Sequence, residues 1–222
     1  EPRNGKTLLA RILADALSLA GEERLRVFDT DFPDGGLAGY FPASSRIIDF
    51  ARTGDQVLVF DTMVDEPDHD YVIDLQDNLL KPFFKVYSDI AFAEGAAEAG
   101  IAVSVYFMLD RTLTSVRAAA EVSRLAAGAS FVPVRNEAIG NILAIPEGAR
   151  LYEGIRKNRE IMLPRLSVDA LNLIDDPQFS FSGFVARSGE GYPLELKIEL
   201  FQFLETIYNQ RRVDEAGGPV TL

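Results

Sequence analysis

Cysteine is absent from this chain, histidine occurs once, and no apolar run approaches the length of a membrane span. Without cysteine there is no disulfide and no thiolate metal site, which suits a cytoplasmic location. With no recognisable signal peptide either, no membrane span is expected. Basic residues are also scarce: 22 lysines and arginines face 34 aspartates and glutamates, a net charge of −12. A protein that binds DNA without sequence preference needs a basic face to displace counterions, so direct DNA binding is the disfavoured reading. No Pro/Gly/Ser-rich linker and no internal repeat interrupts the 222 residues. That predicts one domain over 1–222, with 213–222 as a loose tail around Gly217-Gly218-Pro219.

Against this plain background one stretch carries chemistry. Gly5-Lys6-Thr7 runs directly into Leu8, Leu9, Ile12, Leu13, Ala16, Leu17 and Ala20, apolar residues at helical spacing, with Gly21 as a helix stop. A glycine loop opening a helix presents unpaired N–H groups and a partial positive charge, which suits a polyphosphate. The full phosphate-loop pattern is G-x-x-x-x-G-K-[ST], in which lysine reaches the β/γ-phosphates and the hydroxyl holds Mg²⁺. The sequence begins inside that pattern, so its first glycine and the preceding strand would lie before Glu1. A strand then ends in acids, Leu25-Arg26-Val27-Phe28-Asp29-Thr30-Asp31, where ligands of open α/β sheets bind.

Further along, residues 44–53 suggest a short helix ending at Gly54, and Val57-Leu58-Val59-Phe60 and Tyr71-Val72-Ile73-Asp74 suggest strands. A helix is expected over 79–99, a buried parallel strand over Ile101 to Leu109, and a helix over 112–127 with Leu113, Val116, Ala120 and Leu125 inward. Phe131-Val132-Pro133-Val134 follows as a strand, then short strands at Asn141 to Ile145 and Ile161 to Leu166. A helix from Ser167 stops before Asp175, Phe179 to Gly191 reads as loop, and Leu194 to Gln210 is a final helix. Its apolar positions Leu194, Ile198, Phe201, Leu204 and Tyr208 are expected to dock on the sheet, because Glu195, Glu199 and Glu205 oppose an anionic membrane. The whole is an α/β protein, a three-layer sandwich with a mainly parallel sheet flanked by helices, of the P-loop type.

Three apolar stretches end in an acid: Asp29, Asp61 and Asp74. A P-loop protein needs one such carboxylate for Mg²⁺, and Asp74 fits best because it leads into a polar loop and a helix. Asp61 is assigned to structure, and His69, between Asp68 and Asp70, to a solvated acidic loop rather than a metal site.

Gly5-Lys6-Thr7, Val27-Phe28-Asp29-Thr30-Asp31, Val72-Ile73-Asp74, Leu109-Asp110-Arg111 and Val134-Arg135-Asn136, in that order, resemble the ParA/MinD group of P-loop ATPases over roughly residues 1–140. The resemblance implies an ATP- and Mg²⁺-binding, slowly hydrolysing switch that forms a nucleotide-dependent homodimer and acts with a protein partner in partition or positioning. It implies Lys6 as the phosphate lysine and Thr7 and Asp74 as the metal pair. Asp31 would orient the attacking water, Asn136 would read the adenine edge, and Asn4 and Gly5 would complete the binding loop. The family loop usually reads Lys-Gly-Gly-x-Gly-Lys-Thr, whereas Glu1 stands at its signature lysine and Pro2 and Arg3 replace two glycines. Arg3 is the candidate substitute, since guanidinium binds phosphate bidentately. The alternatives are a non-hydrolysing nucleotide-binding scaffold and a small-molecule kinase or ligase on a related P-loop fold.

Overall fold

The computed structural model describes residues 4–19, 21–140, 146–156 and 160–214. Two three-stranded sheets lie among helices, and every strand pairing is parallel. In the first sheet, β1 (Leu25–Asp29) lies between β2 (Ser45–Ile47) and β3 (Asp70–Asp74). In the second, β5 (Ser130–Asn136) lies between β4 (Ser104–Leu109) and β6 (Ile161–Leu163). This α/β arrangement is compatible with a three-layer sandwich. Among the described residues β2, β3, β4 and β6 are each paired on one side only.

The helix α1 (Lys6–Ser18) ties the two sheets together. Its Leu9 and Ile12 pack with Met108 of β4 and with Val132 and Val134 of β5, and its Ala10 and Ala14 pack with Leu25, Val27 and Val72 of the first sheet. On another side, Phe28 of β1 joins Phe107 and Leu109 of β4 in a second core, with many aromatic rings. That core takes in α2 (Thr53–Asp65), α3 (Leu80–Asp89), α4 (Phe92–Glu98), α5 (Leu113–Leu125) and α6 (Pro146–Arg156). The carboxyl half of the chain closes the α1 side with α7 (Val168–Ile174), α8 (Phe181–Ala186) and α9 (Leu194–Asp214).

Several expectations are corrected. Residues 44–53 are not a helix: Ser45 to Ile47 pair in parallel with Val27 to Asp29 as an edge strand. Val57-Leu58-Val59-Phe60 is not a strand but lies in α2, where Val59, Phe60 and Met63 recur at helical spacing and are buried. Burial of that longer pattern overrides the strand preference of four residues. Asp61 is therefore an exposed mid-helix residue and ends no strand. The helix expected over 79–99 breaks at Ala91, whose φ is 52°, and the break turns Phe92 onto Phe60 and Tyr87, with ring centroids 5.0 and 5.4 Å apart. The first strand ends at Asp29, so Thr30 and Asp31 begin the following loop.

In α5 Val116 is buried as expected, together with Ala119 and Val122, while Ala120 and Leu125 pack partly buried against the same core. Phe179 to Gly191 contains the short helix α8, whose Ser180 hydroxyl accepts from the Gly183 amide while Phe181 and Phe184 are buried. In α9 the buried stripe is Leu200, Phe203, Leu204 and Ile207. Of the expected face, Phe201, Leu204 and Tyr208 pack in the core on the α1 side, whereas Leu194 and Ile198 are exposed. Asn141 to Ile145, Glu1 to Arg3 and residues 215–222 of the tail lie outside the described residues, whereas 213 and 214 end α9. No helix among the described residues is long and apolar enough to cross a membrane.

Candidate functional site

The carboxyl ends of β1, β3, β4 and β5 converge on the start of α1. Gly5 is the pivot, with a φ of 94°, a left-handed conformation that other residues adopt only with strain. A Cβ there would also lie 3.0 Å from the Asn136 amide nitrogen, 3.5 Å from Leu163 and 3.6 Å from Met108. Gly5 therefore lets the loop settle onto the ends of the second sheet. Asn136 braces it there: its Nδ2 donates to the Asn4 carbonyl (3.1 Å) and its Oδ1 accepts from the Ala138 amide (2.9 Å). The Asn4 side chain accepts from the Lys6 amide (3.3 Å). Both polar ends of Asn136 thus hold backbone as placed, and Asn4 acts through loop geometry.

On the other side the same loop meets the first sheet. The Thr7 hydroxyl donates to Asp74 Oδ2 at 2.8 Å. Register pairs Asp29 with Asp74 across β1 and β3, which sets two carboxylates side by side. They do different work. Asp29 is fully buried and accepts from the Asp31 amide (3.0 Å) and the Ala38 amide (2.8 Å), so it folds the following loop. Asp74 faces Thr7, and its carboxyl is held above the ordinary aspartate value. Burial is the main cause and the nearby Asp29 and Asp31 add to it, while the Thr7 hydrogen bond and Lys6 oppose.

Lys6 forms an ion pair with Asp77, and the exposed Asp31 accepts from Gln76 Nε2. Gly36 of the Asp31 loop passes over Thr7: a Cβ on it would lie 3.6 Å from Asp31 Oδ2 and 3.9 Å from Thr7 Oγ1. Asn4, Gly5, Lys6, Thr7, Asp31, Asp74 and Asn136 are thus gathered in one place, whereas Arg3 lies outside the described residues. A hydroxyl and a carboxylate are hard oxygen donors of the kind Mg²⁺ takes alongside water and phosphate. Among the described residues no group of three or more His, Asp or Glu side chains is arranged to hold a metal without such help. His69 is away from this site and is not a loose loop residue: its Nε2 lies 2.7 Å from Arg26 Nη2 and its Nδ1 3.4 Å from Glu66.

Sequence reasoning missed five supports. Thr30, buried, donates to the Asp74 carbonyl (2.9 Å) and accepts from the Gln76 amide (3.0 Å), fixing the exit from β3. Gln76 and Asp77 were hidden because a polar loop offers no pattern. Arg11 and Asp15 were legible in principle, as charged residues in a helix apolar on nearly every other side. Both are buried. The Arg11 guanidinium donates to the Ile174 and Phe179 carbonyls and lies 3.7 Å from the centre of the Tyr40 ring, which links the Asp31 loop to the chain entering α8. Asp15 accepts from the Phe181 amide (2.8 Å) and from the hydroxyls of Ser180 (3.0 Å) and Ser182 (2.9 Å).

No protein-family model matches this chain, and comparison with curated proteins and with solved structures gives no significant match.

Proposed function

We propose that this chain binds ATP with Mg²⁺ at the junction of Asn4–Thr7, Asp31 and Asp74, as a slowly hydrolysing, dimerising switch of the ParA/MinD type. The observation that carries the reading is the Thr7 hydroxyl on the Asp74 carboxylate at 2.8 Å, beside Lys6 at the start of a 13-residue helix. A helix start, a lysine and a hydroxyl–carboxylate pair together make a cradle for a polyphosphate and its metal. Its place at the carboxyl ends of parallel strands agrees with where open α/β sheets bind ligands.

In this reading Lys6 and the first amides of α1 hold the phosphates, and Thr7 and Asp74 hold Mg²⁺, which supplies charge neutralisation when bound. Asp31, exposed and across Gly36 from Thr7, orients water toward the terminal phosphate. One observation favours the non-hydrolysing scaffold instead: the Asp31 carboxylate is already engaged by Gln76. Isothermal titration with ATP and Mg²⁺ is the test. Lys6→Ala is expected to weaken binding about 10- to 100-fold, the worth of hydrogen bonds to a charged group. Equal affinity in parent and variant would sink the proposal, and phosphate release in the same samples separates switch from scaffold.

A further inference from the structure

The end of β3 and the residues just after it engage three side chains of the proposed site. Asp74 takes the Thr7 hydroxyl, Gln76 takes the Asp31 carboxylate, and Asp77 takes the Lys6 ammonium. Thr30 fixes this turn by holding both the Asp74 carbonyl and the Gln76 amide. We propose that Asp77 stands in for a phosphate oxygen on Lys6, making the Gln76–Asp77 turn a built-in competitor for the nucleotide.

The inference rests on the nucleotide-binding reading and adds regulation to it. The pair is poised to exchange. Its side chains are 29% and 57% exposed, so water screens it and the contact is weak. A polyphosphate brings several charges to the same lysine and to the amides at the start of α1. Lys6 would leave Asp77, and the freed carboxylate would be repelled by the entering phosphates. Asp77 opens a 3₁₀ turn, Asp77–Leu79, that runs without a break into α3, whose Phe83, Phe84 and Tyr87 are buried in the aromatic core. Displacement of Asp77 therefore acts at the end of a helix anchored in the core.

Titration of the full chain with ATP, with and without Mg²⁺, tests this on Asp77→Asn and on Asp34→Asn. Asp34 is an exposed acid on the Asp31 loop and controls for lost negative charge alone. Removing a weak competing ion pair should tighten ATP binding about threefold in both conditions for Asp77→Asn, with no matching gain for Asp34→Asn. Weaker binding that appears only with Mg²⁺ would make Asp77 part of the metal shell and overturn the proposal. Equal gains in both variants would reduce the effect to net charge and overturn it too. If the parent binds through Lys6 and Asp77→Asn changes nothing, the competitor fails while the nucleotide site stands. If neither parent nor Asp77→Asn binds, both readings fall.

Discussion

Asp74 carries opposing demands in one side chain. Burial, with Asp29 and Asp31 close by, favours its protonated form, and Thr7 and Lys6 only partly offset this. A carboxyl whose value is raised on folding costs no stability below its unfolded value. The cost grows as pH rises toward the folded value and is complete above it. Asp74→Asn, which keeps an oxygen for the Thr7 hydroxyl, is therefore expected to melt at a higher temperature than the parent at neutral pH. The gain should vanish as pH falls into the ordinary carboxylate range. The same variant should lose about tenfold or more in Mg²⁺-dependent ATP affinity, because the metal needs an ionised oxygen there. In the parent, that affinity should fall on acidification at a pH above the usual aspartate range. Melting and titration across pH check both, and an unchanged melting temperature throughout would mean that the buried charge is fully compensated.

Among the elements, α1 bears the most. It opens the candidate site at Gly5 and grips the carboxyl half of the chain through Arg11 and Asp15. Burial lowers the Arg11 value, against the pull of Tyr40, Asp15 and Asp175. Asp15 accepts from the buried Phe181 amide and from two half-buried hydroxyls of the α8 entry, so its removal leaves that amide without its acceptor. Asp15→Ala is expected to cost about 2 kcal/mol, since orphaning buried donors costs about 1–3 kcal/mol. A shift of the urea midpoint with faster hydrogen exchange at the Phe181 amide would show it; a variant as stable as the parent would mean that α8 is held by its aromatic burial alone. The elements that the sequence misassigned are those set by partners elsewhere. Ser45 to Ile47 became a strand by pairing with β1, and Val57 to Phe60 became helical through the burial of Val59, Phe60 and Met63.

At the scale of the molecule, a net charge of −12 opposes self-association, and buried phosphate charge between two subunits needs cations from both. The expected outcome is a monomer or weak dimer without nucleotide at low salt and a larger mass with ATP and Mg²⁺, with Arg3 or a distant arginine serving as the cation. Light scattering with and without ATP, using Asp31→Ala to hold the bound state, measures it. A mass that stays monomeric under saturating ATP would favour the scaffold. The α/β class, the parallel strands β1, β3, β4 and β5, and the Gly5-Lys6-Thr7 helix start followed from the sequence by itself. Each rests on local chemistry: an apolar run, a helical period, a glycine before a lysine. Only the tertiary structure decided that Asp29 folds a loop while Asp74 meets Thr7, that Arg11 and Asp15 are buried, and that Lys6 sits on Asp77. Those outcomes depend on strand register and on residues dozens of positions apart, where charge and burial are properties of the surroundings and not of the residue.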